Sequence, residues 1–446
     1  MSLFSTLNVG SAGLGVSSTW MNVIGDNISN LNTVGYKGGR ASFVDFMPQH
    51  VFGVNGGGQI GAGAATSEVT TLLGQGSFDT TDNALDMGIS GNGFFVVSDG
   101  IQDFYTRAGE FGVDSAGYVV NGAGLRVQGY SGDGTSISGA LGDLQIPTTA
   151  LAGTGTTSVT LEASLSAEET IGTDVAALDF YGTGAGTSTL SDAGDAADFT
   201  TSTTIYDSRG VGHDVTVLFE RSGTNDWSWR AVADASECYD ATGTQYSSDT
   251  GNAFEIASGT LTFDTAGTLT GITQTDTSAT TAWTFGGTDT PAINFDFGLD
   301  ATGTATDGVV TMSGEESSLT AIAQDGTMTG ELTGLSVGDD GTITGAYSNG
   351  EEVDVGRVGL ATFQATSGLE RVGSALFRAT PAAGQAAVGM AGSGGRGTIS
   401  GNSLEKSNVD LESQFVSMIT AQRSYQASSK VISTANDTLQ TLMQLI

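Results

Sequence analysis

LESQFVSMITAQRSYQASSKVISTANDTLQTLMQLI, residues 411–446, decides the fold of this chain. Leu411, Phe415, Met418, Gln422, Tyr425, Ser429, Ile432, Asn436, Leu439, Met443 and Ile446 follow one another at alternating steps of four and three, which is a sustained heptad seam and predicts a long helix. At the other end, the same rule selects Leu7, Gly10, Leu14, Ser17, Met21, Ile24, Ile28 and Leu31. Two such seams at opposite ends of one chain predict helices that pair. Gly10, Ser17, Gln422, Ser429 and Asn436 stand where a two-helix core wants apolar side chains, and the remaining faces carry Ser, Thr, Asn and Gln in place of charge. Such helices suit packing among many neighbours; the alternative is an amphipathic pair serving its own domain.

Inward from the ends the pattern changes from a period near 3.6 to a period of two. Short segments such as Gly93–Val97, Val215–Phe219, Thr260–Phe263 and Val358–Phe363 alternate with turn dipeptides such as Asp99-Gly100, Asp325-Gly326 and Asp340-Gly341, the signature of antiparallel sheets. Beyond Ile146-Pro147, residues 150–200 become a weakly hydrophobic Thr/Gly/Ala/Asp stretch, and strand-like segments resume at Thr203. The expected fold is mostly β with terminal α-helices, in nested, discontinuous domains. Residues 1–33 and 404–446 form the helical domain, 34–75 and 399–403 a connecting segment, 76–147 and 331–398 an inner β domain, and 148–330 an inserted outer β domain.

Charge follows the same division. The formal net charge is −35, yet residues 1–40 carry +1 and residues 404–446 carry −1, so the acidity belongs to the middle. Near-neutral ends can pack together while an acidic exterior keeps the molecule soluble. A nucleic-acid or anionic-membrane partner is not expected, because either needs Lys and Arg to neutralise phosphate. The single cysteine, Cys238, permits no intrachain disulfide and no Cys-based metal site. The first twenty residues lack the basic and apolar regions of a cleaved signal peptide, and no run of about 18 apolar residues suggests a membrane-crossing helix.

Several runs resemble the flagellar rod and hook family. Asp26-Asn27-Ile28-Ser29-Asn30-Leu31-Asn32-Thr33-Val34-Gly35-Tyr36-Lys37 is similar to the motif that closes that family's N-terminal helix, and its Asn-rich end followed by Gly35 reads independently as a helix stop. Leu85-Asp86, Gly93-Phe94-Phe95 and Tyr105-Thr106-Arg107 resemble the next family element. Leu404-Glu405, Ser407-Asn408-Val409-Asp410-Leu411, Met418-Ile419, Gln422-Arg423 and Tyr425 resemble the C-terminal helix, with Gln414 in place of a common Glu. Rod and hook proteins share those ends. Tyr206-Asp207, Gly210, His213-Asp214 and Trp227 are similar to a strand pair found in hook proteins, whereas rod proteins are shorter and lack that domain.

The resemblance implies a structural subunit of the flagellar hook, a homopolymer forming a flexible curved tube that carries torque from rod to filament. It implies as partners the distal rod protein, a hook cap protein and hook-filament junction proteins. It also implies an extracellular place in the flagellum, reached through type III export without a cleaved signal peptide. A distal rod-like axial protein is the nearest alternative; an acidic secreted adhesin or a glycoside hydrolase is more remote. Paired carboxylates such as Asp79, Asp82 and Asp86 could in principle serve as acid and base, but 49 acidic residues make such clusters common. His50 and His213 lie in separate expected domains, and His213 reads as a surface hairpin residue. No catalytic residue, cofactor or metal is expected.

Overall fold

The computed structural model describes residues 3–53, 56–132, 137–276, 283–286, 292–299 and 310–444. The chain divides into two compact units, one of residues 1–148, 333–346 and 352–446, the other of residues 149–332 and 347–351.

In the first unit, helix α1 (Leu3–Ser29) and helix α3 (Leu411–Gln444) run antiparallel. Gly10 faces Ile432, Gly13 faces Ser428 and Asn27 faces Gln414, so residue numbers fall along one helix as they rise along the other. Asp410 starts α3 as an N-cap, its carboxylate accepting the Ser413 N–H at 3.1 Å. Helix α1 contains Gly10, Gly13, Gly15 and Gly25, each costing about 1 kcal/mol against Ala, so tertiary packing must hold it helical. The glycines also set the spacing. A Cβ on Gly10 would lie 2.7 Å from Ile432 Cγ1, and one on Gly13 would lie 2.7 Å from Ser428 Oγ.

The seam of α1 faces inward as expected, with Gly10, Ser17 and Ile24 buried. On α3 the buried line differs. Ala421 and Ala435 are fully or nearly buried, Gln414, Ser417, Met418, Ser428, Ile432 and Leu439 are half-buried, while Leu411, Phe415, Gln422, Tyr425, Ser429, Asn436 and Met443 are exposed. Close approach at Gly10 and Gly13 brings in Ile432 and Ser428, and this leaves part of the larger apolar row outside the single-chain pair. No helix among the described residues is long and apolar enough to cross a membrane.

The β part of this unit is built around Phe94–Ser98, buried along its whole length. That strand pairs antiparallel with Asp103–Thr106, Arg126–Gly132 and Glu352–Thr362. Phe94, Val96, Tyr105, Ala361 and Phe377 form its core. A two-stranded ribbon of Gly39–Asp45 and Ala64–Thr71 leads from α1, while Ser403–Glu405 pairs with Phe78–Thr80 just before α3.

In the second unit, Phe199–Tyr206, Gly212–Arg221, Asp226–Asp234, Ala253–Phe263 and Leu269–Asp276 form an antiparallel sheet in that order. A smaller sheet is centred on Ser158–Ser166. Trp227, Trp229, Trp283, Phe219 and Phe254 fill the core. The strand at Ser158–Ser166 lies inside the stretch read as weakly hydrophobic. Its Val159, Leu161, Ala163 and Leu165 are buried alternately with half-exposed Ser, Thr and Glu, so average hydropathy concealed a regular alternation. A short helix, α2 (Leu190–Ala196), also falls there, begun by a Thr189–Asp192 capping box.

Candidate functional site

The motif at the end of α1 and the one before α3 meet in one buried junction inside the first unit. After Ser29 the chain turns, with Asn30 N–H donating to Asp26 O at 3.2 Å and Thr33 N–H to Asn30 O at 3.2 Å. Gly35 follows at φ +66°, where a Cβ would lie 2.4 Å from the Ala108 backbone nitrogen, so both conformation and space demand glycine. Its N–H donates to the Glu405 carbonyl at 2.7 Å.

Two side chains, Asn27 and Asn408, then take the place of backbone pairing. Asn27, buried, donates from Nδ2 to Gly39 O at 2.8 Å and accepts Gly39 N–H on Oδ1 at 2.7 Å, as a neighbouring strand would. The same Nδ2 donates to Gln414 Oε1 at 3.2 Å. An amide therefore serves where a carboxylate would leave a buried charge. Asn408 accepts the Gly38 N–H at 2.8 Å and donates to Leu72 O at 2.7 Å and Gly74 O at 2.9 Å. Tyr36 donates its hydroxyl to Asp26 Oδ2 at 2.9 Å, and the Arg371 guanidinium lies 4.7 Å from its ring centroid. Burial raises the Tyr36 phenol above its ordinary value, with Asp26 adding to the effect and Arg371 opposing it.

At the centre lies a charge triad. Lys37 and Glu405 have fully buried side chains, with Nζ 2.6 Å from Oε1; Arg107 Nη1 lies 3.3 Å from Oε2. Lys37 also donates to Gly74 O at 2.9 Å, Gly76 N–H to Glu405 Oε1 at 2.8 Å, and Arg107 Nη2 to Gly91 O at 2.7 Å. Desolvation pushes the Lys37 ammonium below its ordinary value, and the Glu405 carboxylate opposes that fall. One carboxylate thus ties the end of α1, the lead into α3 and a strand of the β body.

Asn27, Gly35, Tyr36 and Lys37 of the N-terminal motif converge here. Asn30 turns back on α1, donating to Asp26 O at 2.9 Å, and accepts the Thr33 hydroxyl at 3.2 Å; Ile28 is half-buried and Asn32 is exposed. On α3, Ile419, Gln422, Arg423 and Tyr425 face outward and take no part in the junction. Glu405, Asn408 and Arg107 belong to runs quoted for their resemblance, but nothing in their spacing marks them as one cluster. A clue was Lys37, one of few cations in an acidic chain, lying between glycines and a tyrosine.

The outer motif occupies a turn of the second unit. Asp207 accepts the Arg209 and Val211 N–H groups at 2.9 and 2.8 Å and pairs with Arg209 Nη2 at 2.9 Å, while Gly210 holds φ +77°. Asp214 accepts the Thr204 hydroxyl at 2.8 Å, Tyr206 is half-buried, and Trp227 is fully buried. His213 is not a surface residue. It is buried, stacked on Phe285 at 4.0 Å, with Nδ1 2.6 Å from Glu237 Oε2. A strand-start position gave no sign that a distant strand would cover it.

Burial raises the Asp207 carboxyl, but the Val211 and Arg209 hydrogen bonds and the Arg209 charge outweigh it, so Asp207 titrates below the usual carboxylate range. A depressed folded value means a stabilising contribution that is complete above the ordinary value near 3.8 and lost as pH falls through the folded one. Acid unfolding followed by Trp fluorescence checks this. The stability gap between the parent and Asp207→Asn is expected to be constant from pH 7 to 5 and to narrow steadily below pH 4, both bounds being approximate. Parallel curves across that range would remove Asp207 as the acid-sensitive group.

Among the described residues, no three His, Cys, Asp or Glu side chains are grouped to hold a metal ion. Four family models match the chain. The flagella basal body rod protein model covers residues 7–37 and the flagellar hook protein FlgE/F/G D1 domain residues 88–164. The flagellar basal body protein FlaE D2 domain covers residues 146–327 and the flagellar basal body rod FlgEFG protein C-terminal model residues 400–445. The flagellar hook protein FlgE of Escherichia coli is 32% identical over 439 residues, spanning 97% of this chain and 98% of that protein. That of Salmonella typhimurium is 32% identical over 97% and 98% of the two chains, and that of Treponema pallidum 33% identical over 100% and 99%.

Proposed function

Since the chain belongs to the flagellar hook protein family, its role is structural, and we propose that its copies polymerise through the α1–α3 pair into the flexible curved tube that transmits torque from rod to filament. The observation that carries this reading is the set of apolar side chains that the pair leaves exposed around α3. Phe415, Val416, Ile419, Tyr425 and Val431 remain 49%, 65%, 50%, 40% and 41% exposed, on a helix whose inner line is small. Apolar side chains grouped this way call for a covering surface, and a homopolymer supplies one from the next copy.

In this reading the helical ends, residues 1–33 and 404–446, pack against one another across copies and line the tube. Residues 34–75 and 399–403 connect them to an inner β domain of residues 76–147 and 331–398, and residues 148–330 form the outer surface. The junction then carries load. Torque applied to the helices reaches the sheets through Asn27, Asn408 and the Glu405 triad, all of which join separate segments without a flexible linker. The distal rod, a cap protein and the hook-filament junction are the partners, and type III export delivers the subunit to its extracellular place. The inserted sheet domain favours the hook over a shorter rod-like protein.

Electron microscopy of the purified chain at rising concentration and salt tests the proposal. Curved tubes are expected. Straight rods of fixed length would indicate a rod-like role, and a chain that stays monomeric under all conditions would refute polymerisation.

A further inference from the structure

A cavity of about 400 Å³ opens in the first unit on the Arg107 side of the charge triad. Its polar lining includes Asn92, Gln364 and Thr366, the glycines Gly394 and Gly395, and Arg107, together with Thr362, whose hydroxyl donates to Ala387 O. Among the described residues, the first three side chains make no hydrogen bond, and neither do the N–H groups of Gly394 and Gly395, which hold φ +59° and +79°. Arg107 Nε is buried and without a partner. Phe94 and Phe363 flank this polar set with apolar surface.

Charge points the same way. The chain carries 49 acidic residues against 14 Lys and Arg, yet among the described residues no acidic one lines this cavity. Glu405 is one carboxylate facing two cations, Lys37 and Arg107. Arg396 adjoins the glycine loop: a Cβ on Gly394 would lie 2.7 Å from its Nη1. Its guanidinium donates only to the carbonyls of Leu360, Ser393 and Ala387, so it has no carboxylate partner among the described residues. A guanidinium that shares its one carboxylate with Lys37, a second that meets only carbonyls, unengaged amide donors and backbone N–H groups in a left-handed glycine pair form an anion-accepting set.

We propose that this cavity binds a carboxylate, with the oxygens taken by the Gly394–Gly395 loop and the amides of Asn92 and Gln364, and the carbon part lying against Phe94 and Phe363. Two sources have that chemistry: a free organic acid, or an Asp or Glu side chain from the acidic middle of a second copy. The second source rests on the polymer reading above; the first does not.

The test is thermal unfolding of the unpolymerised full chain in sodium acetate against sodium chloride at equal ionic strength. Acetate is expected to raise the melting midpoint of the first unit by roughly 2–4 °C, saturating with concentration. Gln364→Glu alters an exposed rim position and brings a carboxylate to the mouth. It is expected to raise the midpoint without acetate and to abolish the acetate response. Superimposable acetate and chloride curves would overturn the proposal, as would a Gln364→Glu chain that responds like the parent. Polymer growth separates the sources. Slower growth in acetate, and in Gln364→Glu, assigns the cavity to a neighbour's carboxylate; unchanged growth with an intact melting response assigns it to a free acid. The melting experiment needs no polymer, so failure to form tubes leaves the cavity testable.

Discussion

Glu405→Gln is expected to destabilise the first unit by about 3–5 kcal/mol, the largest effect of any single side chain in the junction. The substitution preserves shape and removes charge, leaving Lys37 and Arg107 buried without a counter-ion. Gly76 N–H also loses its acceptor if the amide nitrogen turns toward it. Burial already pushes the Lys37 ammonium down, and the carboxylate that opposes this would be gone. For a unit of this size the loss corresponds to a fall of roughly 6–20 °C in melting temperature. Lys37→Met should cost less, because Glu405 would still be matched by Arg107. The double variant should recover part of the loss, since fewer unmatched charges remain buried than in Glu405→Gln alone. Calorimetry on the three variants decides it. Equal losses for Glu405→Gln and Lys37→Met would mean that Arg107 contributes nothing and that the triad is a simple pair.

The second large effect concerns assembly. Removing residues 411–446 is expected to abolish tube formation while leaving the sheets of both units folded. The position of the cut is decisive. Deletion from residue 404 onward would also remove Glu405 and Asn408, whose side chains hold the junction, and the Ser403–Glu405 pairing with Phe78–Thr80. A loss of assembly there could come from unfolding. Cutting after Asp410 keeps the triad and all three Asn408 side-chain bonds, and takes only the helix whose outer face carries Phe415, Ile419 and Tyr425. Helix α1 is then left with no partner, and with four glycines it should unravel in water. Far-UV circular dichroism should lose the helical signal and keep the β signal, and sedimentation should report a monomer at concentrations where the parent forms tubes. Normal polymerisation of the truncated chain would show that the sheets, and not the helices, drive assembly.

The local rules of sequence were enough for the terminal helices and the sheet-rich middle. Heptad spacing from Leu411, the Asn-rich stop before Gly35 and alternation with Asp-Gly turns each depend on neighbours a few residues away, so they are legible without a fold. The same holds for charge, because near-neutral ends and an acidic middle can be read along the chain. Tertiary structure alone decided which face of α3 turns inward. Periodicity locates apolar rows but cannot say that Gly10 and Gly13 will draw Ile432 and Ser428 close and leave Phe415 outside. It decided too that His213 is covered, because Phe285 arrives from a strand 72 residues later. Most of all it made the junction: Lys37, Arg107 and Glu405 are separated by up to 368 residues, and a contact across that distance is fixed only when packing brings the segments together. Side chains buried in such a place must satisfy one another, and that requirement exists in the folded chain and not along the sequence.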